Sequence, residues 1–198
     1  MLFSFRDKRP VISSDAYVAP TAVIRGDVKI GEGSAILAGA VITAEGGAVE
    51  IGADCVVMEN AVLRGTPRNP LAIGDRVLVG PRAHLTGCRI ESDCFVATGA
   101  TIFNGAILEE GTEVRINGVV HVNTHLKPDS MVPIGWVAVG DPAAILPPGD
   151  HDAIWAIQRT LDFPGTVFET DRTVPKGERT KRYARALRRQ NEDEQIET

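Results

Sequence analysis

From Val18 onward, aliphatic residues return at every sixth position: Val18, Ile24, Ile30, Ile36 and Ile42. After an insertion the register resumes at Ile51, Val57 and Leu63, and after a second at Ile73, Val79 and Leu85. One residue is then dropped, and the pattern continues through Ile90, Val96, Ile102, Leu108, Val114, Val120, Leu126 and Val132. Neither a helix of period 3.6 nor a plain strand of period 2 produces this spacing. Four residues after each aliphatic stands a mostly small one, among them Ala22, Ser34, Cys55, Ala83, Cys94 and Thr112. Glycines such as Gly33, Gly39, Gly99 and Gly105 fall between, where the chain must turn and positive φ is cheap. A short strand, a tight turn and one inward aliphatic per six residues describe one side of a triangular coil. About seven three-sided coils fit between Val18 and about Ala138, stacked into parallel sheets with strands about 4.8 Å apart.

Because a coil side cannot absorb extra residues, the insertions Thr43 to Glu50 and Arg64 to Ala72 are expected to leave the prism as loops on one flank, where sites are commonly built. The repeat ends near Leu146. Asp150 or Asp152 then precedes a helix with Ile154, Trp155, Ile157 and Leu161 on one face, and a basic helix follows over about Glu178 to Gln190. The residues after it, Asn191 to Thr198, read as frayed. The expected organisation is all-β: a lead-in over 1–17, a parallel β-helix over 18–146 and a C-terminal helical extension over 147–198.

Composition supports an aliphatic core, since 43% of the 198 residues are apolar but only 5% aromatic. No run approaches the length of a membrane span, and Arg6, Asp7, Lys8 and Arg9 interrupt any apolar leader, so a cytoplasmic protein with no membrane partner is expected. A net charge of -5 argues against a nucleic-acid partner despite the basic helix. The cysteines Cys55, Cys88 and Cys94 are too few and too dispersed for a disulfide framework or a zinc knuckle. Cys55 and Cys94 occupy inward positions where a thiol is inert, and neither a GxSxG elbow nor a phosphate-binding loop occurs.

The segment IGDRVLVGPRAHLTGCRIESDCFVATGATI, with its GC after the leucine and its dropped residue, and the closing VPIGWVAVGDPA resemble the hexapeptide-repeat superfamily, in particular its γ-class carbonic anhydrase-like branch. That resemblance implies a left-handed β-helix and a homotrimer with sites between subunits, where a small-molecule ligand would bind. In the enzymes of that branch three histidines hold a divalent metal that generates hydroxide. The corresponding positions here are Arg64, Pro81 and Thr86, so no metal is expected. The family's Arg-Gly-Asp run falls on Thr43, Ala44 and Glu45, and its Gln-Asp pair on Met58 and Glu59. Arg25-Gly26-Asp27 lies a coil too early to be the same feature. Arg64 among Glu45 and Glu59 reads as an ion pair in place of the metal.

Among the histidines, His84 ranks first as a catalytic candidate, standing two residues before Thr86, and His121 second, in the same column two coils farther on. His125 lies at the next corner and His151 opens the helical tail. Three readings follow. The first is a trimeric binding or scaffold protein, with no cofactor, that does not hydrate CO2. The second is an acyltransferase taking a CoA or acyl-carrier thioester with a histidine base, which is the more natural enzyme for these residues than a zinc-dependent anhydrase. The third is another small-molecule enzyme in which Arg64 binds a carboxylate or bicarbonate-like anion.

Overall fold

The computed structural model describes residues 1–188 and 193–196. Residues 2 to 139 wind into a three-sided prism, a left-handed parallel β-helix of about eight turns. One face is a ten-stranded sheet and the other two are seven-stranded, each collecting one strand per turn. The aliphatic register points inward as the six-residue period demands: every position in it is buried except Val18, which is half-buried at the first coil. Burying each such side chain contributes about 1.5–3 kcal/mol, and the ladders leave little room for rings. The first turn lies within the residues expected only to lead in: Leu2–Phe5, Val11–Ile12 and Tyr17–Val18 each add a strand to a different sheet.

Corners are made by left-handed backbone, usually at the third residue after the inward aliphatic. Gly39 (φ 73°) and Asn60 (φ 59°) hold this conformation in adjacent coils, and a Cβ on Gly39 would lie 2.3 Å from the Asn60 Oδ1. The side chain of one coil thus uses the space left by the glycine of the next. The two insertions emerge together but are shorter than their sequences imply, because Val41–Ala44 and Val62–Gly65 remain strands of the ten-stranded sheet. They pair in register, Thr43 with Arg64 and Ala44 with Gly65, and the Glu45 amide donates to the Gly65 carbonyl at 2.8 Å.

Beyond the prism, Ala144–Leu146 turns back antiparallel to Val137–Val139, and three helices follow: α1 (His151–Gln158), α2 (Phe163–Phe168) and α3 (Lys176–Leu187). Asp150 is the N-cap of α1 and Asp152 lies in its first turn. Ile154 is buried, but Trp155 is 48% exposed, since adjacent helical residues lie about 100° apart and cannot share a narrow face. The sequence gives little sign of α2, whose Pro164 and Gly165 read as breakers. Proline is tolerated there because amides of the first helical turn have no intrahelical acceptor to lose, and the Asp162 carboxylate accepts from the Gly165 amide. Gln190, the expected end of α3, lies outside the described residues, as do four of the eight tail residues expected to fray. The other four, Asp193–Ile196, form a strand antiparallel to Leu2–Phe5.

Candidate functional site

One column of the ten-stranded sheet carries the residues singled out above. Arg64 pairs in register with Thr86 on the next strand, His84–Thr86, and the column continues through Phe103 to His121. The residue dropped after Thr86 is accommodated by Gly87 at φ 51°, whose amide donates to the Arg64 carbonyl at 2.8 Å. A Cβ at Gly87 would lie 2.6 Å from the Asn69 Cβ, so the tight corner is reserved for glycine. This corner fixes Thr86 beside Arg64.

Above the column lies a cavity of about 500 Å³. Its floor includes Arg64, His84, Thr86 and Asn104, its rim Glu45, and its roof the end of α2 with Thr170 and α3. Aromatic contacts hold the roof down. Phe163 packs 5.5 Å from Phe103 and 5.6 Å from His121, Phe168 packs 6.1 Å from Phe163, and Tyr183 packs 5.7 Å from Phe168, measured between ring centres. The Asn123 amide reaches the Leu161 carbonyl at 3.4 Å and the Thr166 hydroxyl at 3.3 Å. The lining of this cavity comes from the prism and the extension of the same chain, whose rings pack on the Phe103–His121 step.

Arg64 and Glu45 form the expected ion pair, Nε to Oε1 at 3.4 Å, but the contact lacks hydrogen-bond geometry and the buried Nε has no hydrogen-bond partner. Glu59 does not join them: it stands at the preceding corner and lines neither cavity nor groove. Pro81 faces elsewhere, into an apolar groove of about 850 Å³ shared with Phe95, Met131 and Trp136 on the neighbouring side of the prism. Ile116, Met131 and Ile134 are exposed there.

His84 shares a hydrogen bond with Thr86, Nε2 to Oγ1 at 2.9 Å. Burial pushes its imidazole below the ordinary histidine range, and the charge of Arg64 adds to the effect. His121 is also pushed down by burial and neither ring nitrogen has a hydrogen-bond partner. It touches Phe103 and Phe163 rather than the cavity, so it supports the roof. His125, expected at a corner, begins the strand His125–Leu126 and lies between carboxylates, 2.6 Å from Glu109 and 3.4 Å from Asp141, and His151 is exposed. Burial likewise pushes the Cys88 thiol up to about 12 and the Cys94 thiol up to about 11, consistent with inert packing residues.

The two lowered histidines give stability a definite pH dependence. Unfolded, each binds a proton near its ordinary pKa of about 6.5, while folded it stays neutral to lower pH. Below about pH 6.5 the unfolded chain therefore holds more protons, and stability falls as pH falls, by up to about 1.4 kcal/mol per pH unit for each histidine. Thermal melts between pH 7.5 and 5.5 should show a shallower loss for His121→Phe than for the parent. Parallel curves would assign the acid sensitivity to other groups.

Asn104, Thr170, Phe168 and Tyr183 complete the cavity without having been marked as a site by the sequence. Asn104-Gly105 reads only as a turn, and the roof residues lie far from the repeat.

Comparisons with known proteins agree with the repeat. The family description "Bacterial transferase hexapeptide (six repeats)" matches residues 9–44, and "Hexapeptide repeat of succinyl-transferase" matches residues 70–104. "Gamma carbonic anhydrase 2, mitochondrial" of Arabidopsis thaliana is 34% identical over 151 residues, 73% of this chain and 52% of that protein. A "Carbonic anhydrase" of Geobacillus kaustophilus is 28% identical over 159 residues, 80% of this chain and 84% of that one. A crystal structure of a putative acetyltransferase of Bacillus cereus is 26% identical with a TM-score of 0.46, covering 81% of this chain and 91% of that one. The chain belongs to the hexapeptide-repeat, γ-carbonic anhydrase-like family. It spans about half the length of the plant relatives it matches. Among the described residues, no helix is long and apolar enough to cross a membrane.

Proposed function

We propose that this chain is a small-anion-binding member of the γ-carbonic anhydrase-like branch, assembled as a homotrimer, that does not hydrate CO2. The observation that carries this reading is Arg64: its guanidinium stands where the resemblance puts a metal-binding histidine, and its buried Nε lacks a hydrogen-bond partner. The residues present do not fit zinc, which takes imidazole, thiolate or carboxylate ligands. Arg64 keeps its positive charge, the Thr86 hydroxyl is engaged with His84, and Pro81 has no donor atom and lies in the other groove. The same guanidinium suits a carboxylate or bicarbonate, whose oxygens accept its N–H groups.

Isothermal titration with acetate and with bicarbonate should show saturable binding that weakens at least about 10-fold in Arg64→Ala, the loss of one charge-assisted hydrogen bond. Stoichiometric zinc in chelator-free protein, together with robust CO2 hydration, would overturn the reading. An acyltransferase would instead use His84 as its base, and a thermal shift induced by acetyl-CoA would favour that alternative.

A further inference from the structure

We propose that the roofed cavity binds an amphipathic carboxylate, an apolar or aromatic body with its carboxylate on Arg64 and an O–H or N–H donor at the far end on Asn104. This deepens the anion-binding reading and rests on it. Unsatisfied buried polar atoms are rare in folded proteins and costly to leave unpaired. Among the described residues, three buried side-chain atoms without a hydrogen-bond partner belong to this one cavity: Arg64 Nε, Asn104 Oδ1 and Thr170 Oγ1. Asn104 is only 2% exposed, so its amide is held inside the protein.

The three atoms also define what would satisfy them. Arg64 offers a charged donor and requires an acceptor anion, Asn104 Oδ1 requires a donor, and the Thr170 hydroxyl on the roof can serve either. Arg64 belongs to strand Val62–Gly65, and Asn104 follows strand Thr101–Ile102, two positions along the same sheet. Two inter-strand steps place their backbones about 10 Å apart. Between them the floor carries His84 and Thr86, bonded to each other, while Phe103, Phe168, Tyr183 and Val167 give the cavity an apolar wall from which a fully polar ligand would gain nothing. The volume of about 500 Å³ falls in the range of sites for small organic molecules.

Three probes separate these requirements on the intact chain by isothermal titration. 3-(4-Hydroxyphenyl)propionate carries the carboxylate, the ring and a donor at the distal end. 3-Phenylpropionate lacks only the donor, and acetate lacks the ring as well. The hydroxylated probe should bind at least about 10-fold more tightly than 3-phenylpropionate, which should in turn exceed acetate. In Asn104→Leu the advantage of the hydroxyl should disappear while the response to Arg64→Ala remains. The comparison among probes on the unmodified chain decides the matter even where the Asn104 variant does not fold. Equal affinities for the two aryl probes, or no binding of either, would overturn the proposal. If acetate still binds through Arg64 in that case, the anion-binding reading stands alone. If acetate binding is absent or indifferent to Arg64→Ala, that reading falls too.

Discussion

Replacing Leu85 by alanine is expected to cost about 2–5 kcal/mol of stability, read as a lowered denaturant midpoint with the slope unchanged. Leu85 is fully buried in a ladder with Leu63 on one side and Ile102 on the other. The cost lies at the upper end when surroundings cannot relax, and here they are constrained. The separation of successive coils is fixed by backbone hydrogen bonds, such as the Gly87 amide to the Arg64 carbonyl at 2.8 Å, so the coils cannot close over the missing atoms. Because each coil touches only its neighbours, the void weakens the interfaces on both sides of one turn. Leu85 also lies between His84 and Thr86, so the floor of the cavity should lose definition along with the core. A loss below about 1 kcal/mol would show that the ladder repacks more freely than its geometry implies.

Phe163→Ala should have a different outcome, detaching the roof while the prism stays folded. Phe163 is the common neighbour of Phe103, His121 and Phe168, and the polar contacts that add to it are those of Asn123 and an exposed ion pair of Arg68 with Glu169 at the end of α2. Losing one half-buried ring and its aromatic partners removes about 1–3 kcal/mol from the docking of the extension. Limited proteolysis should then cleave between residues 159 and 187, and amide exchange should accelerate there, while protection of the aliphatic strands is kept. Binding of aryl carboxylates should fall at the same time, since Phe168, Thr170 and Tyr183 leave with the roof. Unchanged protease resistance would show that the extension is anchored elsewhere.

The architecture was legible in the sequence because one physical requirement repeats. An inward aliphatic every six residues can be satisfied only by a short-sided coil, and the register from Ile24 to Val132 is buried throughout. The corners were legible where glycine supplied left-handed backbone, but not where Asn60, Asp54, Arg76 or Arg82 adopts it. The partnership of Arg64 with Thr86 followed from their places on adjacent coils. Glu59 was assigned to the same cluster by family position alone, and the corner it precedes turns it away. The roof was hidden for another reason. Its helices lack a repeat, and their placement depends on rings finding an apolar step that exists only once the prism has formed. Asn104 was hidden because an unsatisfied buried atom can be recognised only when everything around it is known.

A stack of parallel coils is open-ended by construction, and its terminal strands present unpaired amides and carbonyls to any similar stack. In the ten-stranded sheet both ends are closed by strands running the other way, Asp193–Ile196 beyond Leu2–Phe5 and Ala144–Leu146 beyond Val137–Val139. An arriving copy would meet a reversed hydrogen-bonding pattern instead of a continuation of the coil, and the remaining two sheets end in strands of only two residues, Val11–Ile12 and Met131–Val132 among them. The reversal of two short strands is a barrier to end-to-end fibre growth, so a chain truncated before Asp193 should be more prone to filament formation than one that retains it.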